Sequence, residues 1–369
     1  MSESGRTVSR RSLLATGGAV VSAVAATGQA AAHDDGGAAA PAPATGGDAG
    51  RARIDMHHHY VAPAWVDWAD RQGLVRREEL PWWARWDVDA TLTLMDRAGI
   101  ATAVLNPATP GRYRSTAQAR EGLTIVFRAL TELVAAHPGR FAFLVPLFPD
   151  DPGLSSWAIR SGLDRLGAVG ASAKANQGGV YLGDPSHDRL LGELDERGAV
   201  LVTHPLDLPG GRPDVPTVPG VPNFMCDFLL DTTRAAVNMV LHGTLDRFPR
   251  LSVVLPHAGG FLPHIATRLQ AFGGFLTPPV DPARVRDSLR RFHYDTAGPM
   301  SPAGTLLAAA APDRILFGTD WPATPADVVT EVAIPALRAD PALTDRHRRG
   351  INRDNALRLM PGLRAASRG

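Results

Sequence analysis

Three histidines and one aspartate in this sequence have residue types and positions that suit a metal site. His57 and His59 are two residues apart, so on an extended strand both imidazoles point to one side and His58 to the other. His204 and Asp320 lie far along the chain, and would bring the set to three imidazole nitrogens and one carboxylate oxygen. Such a set suits Zn²⁺, with Mn²⁺ as the alternative, and leaves a position for water or substrate. We therefore predict one divalent metal ion bound by these four residues.

His257 has three alternative roles beside that set. It lies in the segment Pro256-His257-Ala258-Gly259-Gly260 and could be a further ligand, a group that exchanges a proton with metal-bound water or substrate, or a structural histidine that orients the glycine turn. We favour proton exchange, and predict His257 and Asp320 as the catalytic residues.

The charge composition and the cysteine count limit the classes of partner and site that the protein can have. The 38 basic and 37 acidic residues nearly cancel, and no dense basic run lies beyond the extreme N-terminus, so the sequence predicts a small-molecule substrate and no nucleic-acid partner. Cys226 is the only cysteine, which excludes an intramolecular disulfide and a cysteine-built zinc site.

The elements that must position these residues are eight β-prone runs that alternate with helical periodicity, the pattern of repeated βα units. The predicted strands are Arg51 to Met56, Ala101 to Asn106, Phe141 to Leu147, Ala168 to Asn176, Ala199 to His204, Leu251 to His257, Phe292 to Thr296 and Arg314 to Asp320. The predicted helices are Ala90 to Ala98, Ala117 to His137, Gly153 to Leu166, Asp188 to Arg197, Cys226 to Asp246, Pro263 to Phe272 and Ser301 to Ala310. Eight such units predict an α/β fold, a (β/α)8 TIM barrel over residues 51–363, whose active site lies at the carboxyl ends of the strands.

Further polar residues fall at predicted strand ends. Asn106 and Asn176 are predicted substrate-binding residues, and Asp295 a pocket-lining one, by position alone. Lys174 stands where a carbamylated lysine would bridge two metal ions in a binuclear hydrolase. Its neighbours do not decide which face enters the barrel, and we favour a solvent-facing or salt-bridged lysine.

The N-terminal region predicts export. The paired Arg10 and Arg11, an apolar stretch from Ala19 to Ala26 and small residues near Ala32 are typical of a twin-arginine signal peptide over residues 1–32. A membrane anchor is the alternative, but the stretch is too short to span a bilayer, and we expect no stable membrane span after processing. Residues 33–50 have the composition of a disordered linker and 364–369 that of a flexible tail. The predicted location is periplasmic or extracellular.

Several motifs of the chain, taken together, resemble one family. They are Ile54-Asp55-Met56-His57-His58-His59, Thr203-His204-Pro205, Phe248-Pro249-Arg250-Leu251, Pro256-His257-Ala258-Gly259-Gly260 and Phe317-Gly318-Thr319-Asp320-Trp321-Pro322. In this order they resemble the decarboxylase branch of the amidohydrolase superfamily, typified by aminocarboxymuconate semialdehyde decarboxylase. The stretch Gly179 to Pro185 is most similar to the 6-methylsalicylate decarboxylase group.

The resemblance implies the same four metal ligands and His257 as the catalytic histidine. It also implies that Arg268 reaches a neighbouring subunit's site to bind a substrate carboxylate, and hence a homodimer; the alternative is an exposed helix arginine. The segment between the first strand and Trp86 is shorter than in the aminocarboxymuconate enzymes, so their substrate contacts there are not carried over.

The predicted function is metal-dependent, non-oxidative decarboxylation of a small aromatic or unsaturated carboxylic acid, with a hydroxybenzoate such as 6-methylsalicylate as the example. Ring protonation by Asp320 or His257 would precede loss of carbon dioxide, or hydroxide assisted by His257 would attack first. Hydrolysis of a lactone, amide or related bond is the second hypothesis. An exported binding protein on a degenerate barrel is the third, and it would lack some of the ligands, all of which are present.

Overall fold

The computed structural model describes residues 53–109, 113–210, 215–298 and 303–363. The predicted signal peptide (1–32), linker (33–50) and tail (364–369) lie outside these residues and stay predictions. None of the helices in the described ranges is both long and apolar enough to cross a membrane.

Eight parallel strands form the central sheet, in the order β1-β2-β3-β4-β7-β8-β9-β10. The strands are β1 (Arg53–Tyr60), β2 (Ile100–Pro107), β3 (Phe141–Pro146), β4 (Gly170–Lys174), β5 (Asn176–Gln177), β6 (Val180–Tyr181), β7 (Val200–His204), β8 (Ser252–Leu255), β9 (His293–Asp295) and β10 (Ile315–Leu316). The two-residue strands β5 and β6 form a separate antiparallel hairpin after β4. The predicted (β/α)8 barrel is confirmed.

The barrel closes where the chain following β10 meets β1, a region that we call the seam (Asp55–His59 and Phe317–Trp321). The amide of Met56 donates to the Phe317 carbonyl at 2.8 Å, and the amide of Asp320 donates to the His57 carbonyl at 2.9 Å. A further bond runs from the His59 amide to the Trp321 carbonyl at 2.6 Å. The last predicted strand, Arg314 to Asp320, is therefore wrong in extent. Regular strand geometry ends at Leu316, and Asp320 has a left-handed φ of 65° although the segment still bonds to β1.

Helices surround the sheet. They are α1 (Pro63–Arg71), α2 (Val88–Arg97), α3 (Thr116–Ala136), α4 (Pro152–Arg165), α5 (Asp188–Glu196), α6 (Asn223–Leu241), α7 (Thr244–Arg247), α8 (Leu262–Phe272), α9 (Pro282–Arg291), α10 (Ala303–Ala309), α11 (Ile334–Ala339), α12 (Asp345–Arg349) and α13 (Asn355–Leu359). The predicted helix Cys226 to Asp246 is two helices, because Gly243 adopts a left-handed φ of 58° that ends the α-helical path between α6 and α7. Helices α1, α9 and α11 to α13 were not predicted.

Two apolar cores result. One fills the barrel interior and includes Ile54, Met56, Val104, Leu144 and Val202, all at most 1% exposed. It is covered at the amino ends of the strands by Ala356, Met360 and Leu363. The other lies between the sheet and the helices. Each fully buried aliphatic side chain contributes about 2 kcal/mol of hydrophobic stabilisation. The filled lower interior leaves polar groups to the carboxyl ends of the strands.

A β-bulge in β1 decides which side chains face that opening. Asp55 pairs with Ala103 and His58 with Leu105, so two residues of β1, Met56 and His57, stand opposite one residue of β2. The extra residue reverses the alternation. Met56 therefore faces the interior core while His57 and His59 also face inward, and His58 lies on the opposite side.

Candidate active site

Four side chains converge at the carboxyl ends of the strands. His57 and His59 come from β1, His204 from the end of β7, and Asp320 from the seam. One ligand atom from each lies within 4.8 Å of the others, and both β1 histidines are buried. The structure thus brings together the four residues that the sequence predicts as metal ligands, and their spacing is that of a single metal-binding site.

Asp295, at the end of β9, orients His57. Its Oδ2 accepts a hydrogen bond from the His57 Nδ1 at 2.9 Å, while its Oδ1 accepts from the amides of His257 at 2.8 Å and Ala297 at 3.0 Å. A proton on Nδ1 leaves the lone pair of Nε2 for a metal ion. The sequence predicted Asp295 only as a pocket-lining residue, and the signal that could have identified it is an aspartate at a strand end.

His204 is oriented by the backbone. Its Nδ1 lies 2.8 Å from the Pro205 carbonyl oxygen, which can only accept, so this nitrogen carries the proton. The Nε2 of His204 is then unprotonated in the neutral ring and available as a ligand.

The charges of the four residues match a metal site. Burial lowers the pKa of His204 well below its usual range, and the nearby His59 and His57 lower it further. Burial also lowers the pKa of His59, although Asp320 opposes this. Burial raises the pKa of Asp320, but the neighbouring imidazoles of His257, His57 and His59 outweigh it and hold the pKa well below its usual range. At neutral pH these three residues therefore offer one anionic carboxylate and two neutral imidazoles, the forms that bind metals.

His57 differs from the other two histidines. Burial acts to lower its pKa, but the Asp295 carboxylate and then Asp320 outweigh burial and raise the pKa well above the usual range. Before an ion binds, His57 holds a proton on each ring nitrogen, and the proton on Nε2 must leave for that nitrogen to become a ligand.

A buried carboxylate on the outer side of β1 fixes the two ligand-bearing segments of the seam to each other. Asp55 accepts hydrogen bonds from His58 Nδ1 at 2.8 Å and from Thr319 Oγ1 at 2.6 Å. Its Oδ1 accepts from the amides of His57 and Thr319 at 3.1 and 3.0 Å. His58 therefore takes part in positioning, on the face opposite the ligands.

His257 lies beside the ligand set. Its Nε2 is 3.8 Å from Asp320 Oδ2, and its buried Nδ1 has no hydrogen-bond partner among the described residues. The non-glycine residues with positive φ in the described ranges are His257, Ala258 and Asp320, with φ of 53°, 54° and 65°. Left-handed backbone at such residues costs about 1 kcal/mol or more each and is concentrated at functional sites. The strained backbone aims His257 and Asp320 toward each other.

The predicted substrate-binding residues have different surroundings. Asn106 is buried at the end of β2 and pairs in register with His59, so its side chain shares the inward face. Asn176 donates to Asp231 Oδ1 at 2.8 Å and thereby ties the β5–β6 hairpin to α6. Arg268 is exposed on α8 and lies over the Phe272 ring, with no contact to the ligand set of its own chain.

The position of Lys174 differs from the predicted one. It pairs in register with His204, and it makes no hydrogen bond or ion pair to the described residues. The lysine is therefore on the inward face of β4 and half-buried, and the expected solvent-facing or salt-bridged position is wrong because the strand register points it toward the barrel mouth.

An aromatic side chain borders the ligand set. The ring of Trp83, on the segment between α1 and α2, lies 5.7 Å from that of His59 at an interplanar angle of 45°. Trp83 was not predicted from the sequence as a site residue. A half-buried indole beside a metal site offers a flat apolar surface to an aromatic ring.

Comparisons with known proteins agree with this geometry. A family model described as Amidohydrolase matches residues 54–361. The 6-methylsalicylic acid decarboxylase of Penicillium expansum is 26% identical over 326 residues, which cover 85% of this chain and 97% of the fungal protein. A gamma-resorcylate decarboxylase of a Rhizobium species is 30% identical over 251 residues, 63% of this chain and 76% of that protein. The crystal structure of a 2,6-dihydroxybenzoate decarboxylase complexed with 2,6-dihydroxybenzoate superposes with a TM-score of 0.70 at 25% identity, covering 84% of this chain and 99% of that one.

Proposed function

Because this chain belongs to the amidohydrolase family, we propose that it is a metal-dependent, non-oxidative decarboxylase of a small aromatic carboxylic acid. The observation that carries the proposal is the convergence of His57, His59, His204 and Asp320 with His257 beside them. The substrate class is supported by the relatives that are named as decarboxylases of 6-methylsalicylic acid and gamma-resorcylate, and by the aromatic ring of Trp83 beside the ligand set. We propose an ortho-hydroxybenzoate as substrate.

The residues fit a divalent ion. The buried Nε2 of His57 has no hydrogen-bond partner among the described residues and lies 3.3 Å from Asp320 Oδ1. Three imidazoles with one carboxylate form a donor set typical of Zn²⁺, which we propose, with Mn²⁺ as the alternative. An ion held by these four residues would supply Lewis-acid chemistry for a bound acid.

The protein's part in the reaction is proton delivery to the ring. A new C–H bond forms at the carbon that bears the carboxylate, the C–C bond to that carboxylate then breaks, and its electron pair restores the aromatic ring as carbon dioxide leaves. Since the pKa of Asp320 is held well below its usual range, that carboxylate stays anionic, and His257 is the better proton source. The Asp320 carboxylate lies 3.8 Å from the His257 Nε2 and is placed to orient the imidazole. Water restores the proton of His257 after each turnover.

The oligomeric state and the location of the enzyme are proposed chiefly from the sequence. We propose a homodimer in which Arg268 contributes to the partner subunit's site, and export through the twin-arginine signal to a periplasmic or extracellular location. The exposed position of Arg268 on α8 supports the first of these.

The experiment that tests the function joins metal content with carbon dioxide release. Elemental analysis should find about one ion per chain, and a panel of hydroxybenzoates should include one that releases carbon dioxide. Asp320→Ala should remove the ion and lower kcat/KM by about 10³-fold or more, the scale of losing a preorganised charged group. Asp313→Ala is the control, since Asp313 is exposed and is not one of the four ligand residues.

Two results would contradict the proposal. One is two ions per chain together with cleavage of lactones or amides, which indicates a hydrolase. The other is no carbon dioxide from any aromatic acid by protein that holds one ion per chain.

A further inference from the structure

Lys174 is the only lysine in this sequence; every other basic residue among the 38 is an arginine. A compact ammonium and a broad, planar guanidinium are not interchangeable in a confined site, because the ammonium is a point charge with three donors on a flexible stem. The position of the single lysine therefore identifies one place in the molecule where a small cation stands.

That place is the inner face of the barrel. Ser172 pairs with Val202, a member of the interior core, and Lys174 pairs with the ligand His204 in the same register. The intervening Ala173 belongs to the outer core between sheet and helices. Alternation along β4 thus directs the Lys174 stem to the mouth, one strand away from a metal ligand.

The Lys174 ammonium has no partner of opposite charge within ion-pair distance among the described residues. Lys174 has no hydrogen bond or ion pair with the described residues, and Asp150 affects it only through space. Burial lowers the pKa of Lys174, and Asp150 opposes this. Where described, the three residues after each of the other seven barrel strands include no lysine or arginine. Lys174 is therefore the cation that the barrel wall itself supplies at this end.

The charges of the groups around the metal site favour binding of an anionic ligand near Lys174. Asp295 and Asp320 together carry two negative charges, which balance one divalent ion when the imidazoles are neutral. The Lys174 ammonium then adds a positive charge at the mouth that no ion pair with a described residue neutralises, and the carboxylate of an acid is suited to pair with it.

We propose that the Lys174 ammonium binds the carboxylate of the aromatic acid, as a residue of this chain that selects acids over the corresponding neutral phenols. The inference rests on the proposed function, because it assumes that an aromatic acid occupies the mouth. It adds a cation from the same subunit to Arg268, which we place at the partner's site.

The test uses the Zn²⁺-loaded full chain and two probes, salicylate and phenol. Incorporation of [¹⁵N]lysine labels a single residue, so the Lys174 Nζ resonance needs no assignment. Salicylate should shift that resonance, while phenol should leave it in place. Calorimetry should show that Lys174→Met weakens salicylate binding about 10-fold to 100-fold, the range for one charged hydrogen bond, with phenol affinity unchanged. Lys174→Arg should retain part of the salicylate affinity.

Arg128→Met is the matched control, because it removes one positive charge from the exposed face of α3. Circular dichroism and metal content of each variant show whether the fold and the ligand set are retained. A folded, metal-loaded Lys174→Met protein that binds salicylate as tightly as wild type would overturn the proposal. So would a carbamate carbon resonance on Lys174 under ¹³CO₂ that accompanies a second ion per chain, since the amine would then be a ligand.

The two proposals fail separately. If wild type releases no carbon dioxide from any benzoic acid but loses salicylate binding in Lys174→Met, the decarboxylase is contradicted and the carboxylate site is upheld. If carbon dioxide is released and Lys174→Met keeps wild-type KM and salicylate affinity, the carboxylate site is contradicted and the decarboxylase is upheld.

Discussion

Asp295 illustrates how one residue outside the ligand set governs it. The carboxylate binds the His57 ring through Oδ2 and two backbone amides through Oδ1, so a single side chain fixes both the direction of His57 and the turn that carries His257. A carboxylate in this position makes the histidine a better ligand, because it holds the ring in one tautomer and orientation.

We expect Asp295→Asn to weaken metal binding about 10-fold to 100-fold. The amide keeps the shape of the side chain but removes its charge. Competition with a chelator of known affinity measures the change, and Asp313→Asn serves as a control with the same substitution on the surface. An unchanged metal affinity in Asp295→Asn would show that Asp295 does not support His57.

The raised pKa of His57 predicts a proton linked to metal binding. Burial alone would lower that pKa, but Asp295 and then Asp320 raise it well above the usual range. In the metal-free protein, the resulting stabilisation is full below the unfolded pKa of about 6.5 and is lost as pH rises through the higher folded pKa. Metal binding should therefore release about one proton per ion near pH 7 and tighten as pH rises toward the folded pKa.

Calorimetry of metal binding in buffers of different ionisation enthalpy counts the released protons. Asp295→Asn should release fewer, because it removes the largest influence that raises the pKa. Proton release that is zero in wild type near pH 7 would mean that His57 is already neutral.

At the scale of elements, the seam determines where the ligands stand. The bulge at Met56 and His57 lets one strand contribute both to the interior core and to the metal site. Gly318 lies against this bulge, and a Cβ added there would be 2.9 Å from the His57 Cβ and 3.3 Å from the Ala297 Cβ. A glycine at 318 is what allows the strand end after β10 to approach β1 so closely.

Gly318→Ala should therefore displace His57 and weaken metal binding about 10-fold or more, with the barrel still folded. Gly192→Ala is the contrasting variant: its Cβ would meet only the Phe248 ring at 3.8 Å, and an alanine within α5 should raise stability by up to about 1 kcal/mol. Chelator competition and thermal unfolding separate the two effects. Wild-type metal affinity in Gly318→Ala would show that the seam tolerates a wider spacing.

The sequence predicts strand ends better than it predicts pairing. Alternation and strand periodicity were enough to place His204 and Asp320 at the mouth and to separate His58 from His57 and His59. The bulge could not be predicted, since it depends on pairing with Val104 and its neighbours on β2. The inward direction of Lys174 required the register with β7, and the role of Asp295 required its distance from a histidine 238 residues away.

At the scale of the whole molecule, α8 and the short turn that follows it present a surface suited to binding a second copy of this chain. Arg268 lies over the Phe272 ring, and the side chains of Phe272 and Phe275 are 51% and 83% exposed. Large apolar side chains grouped in this way indicate an interface. They support the proposed homodimer.

We expect Asp320→Ala and Arg268→Ala to be inactive as separate proteins and active when mixed. In a hybrid dimer, the Arg268→Ala chain supplies an intact ligand set and the Asp320→Ala chain supplies the arginine to it. Random exchange of subunits should restore about a quarter of wild-type activity, since half of the dimers are hybrid and each has one complete site. Sedimentation of the wild type as a monomer, or no recovery on mixing, would contradict the shared site.

The seam also bears on when, during synthesis and folding, the barrel closes. His59 and Asp320 are 261 residues apart, and an ion bound by both joins the two ends of the barrel as a covalent crosslink would. Constraining a loop of that length removes about 5 to 6 kcal/mol of conformational freedom from the unfolded chain. The ligand set is incomplete until the residues after β10 have been synthesised and paired with β1. A bound ion therefore indicates that the barrel has closed. A chain shortened before Asp320 keeps the histidine ligands of its first strand but cannot complete the site.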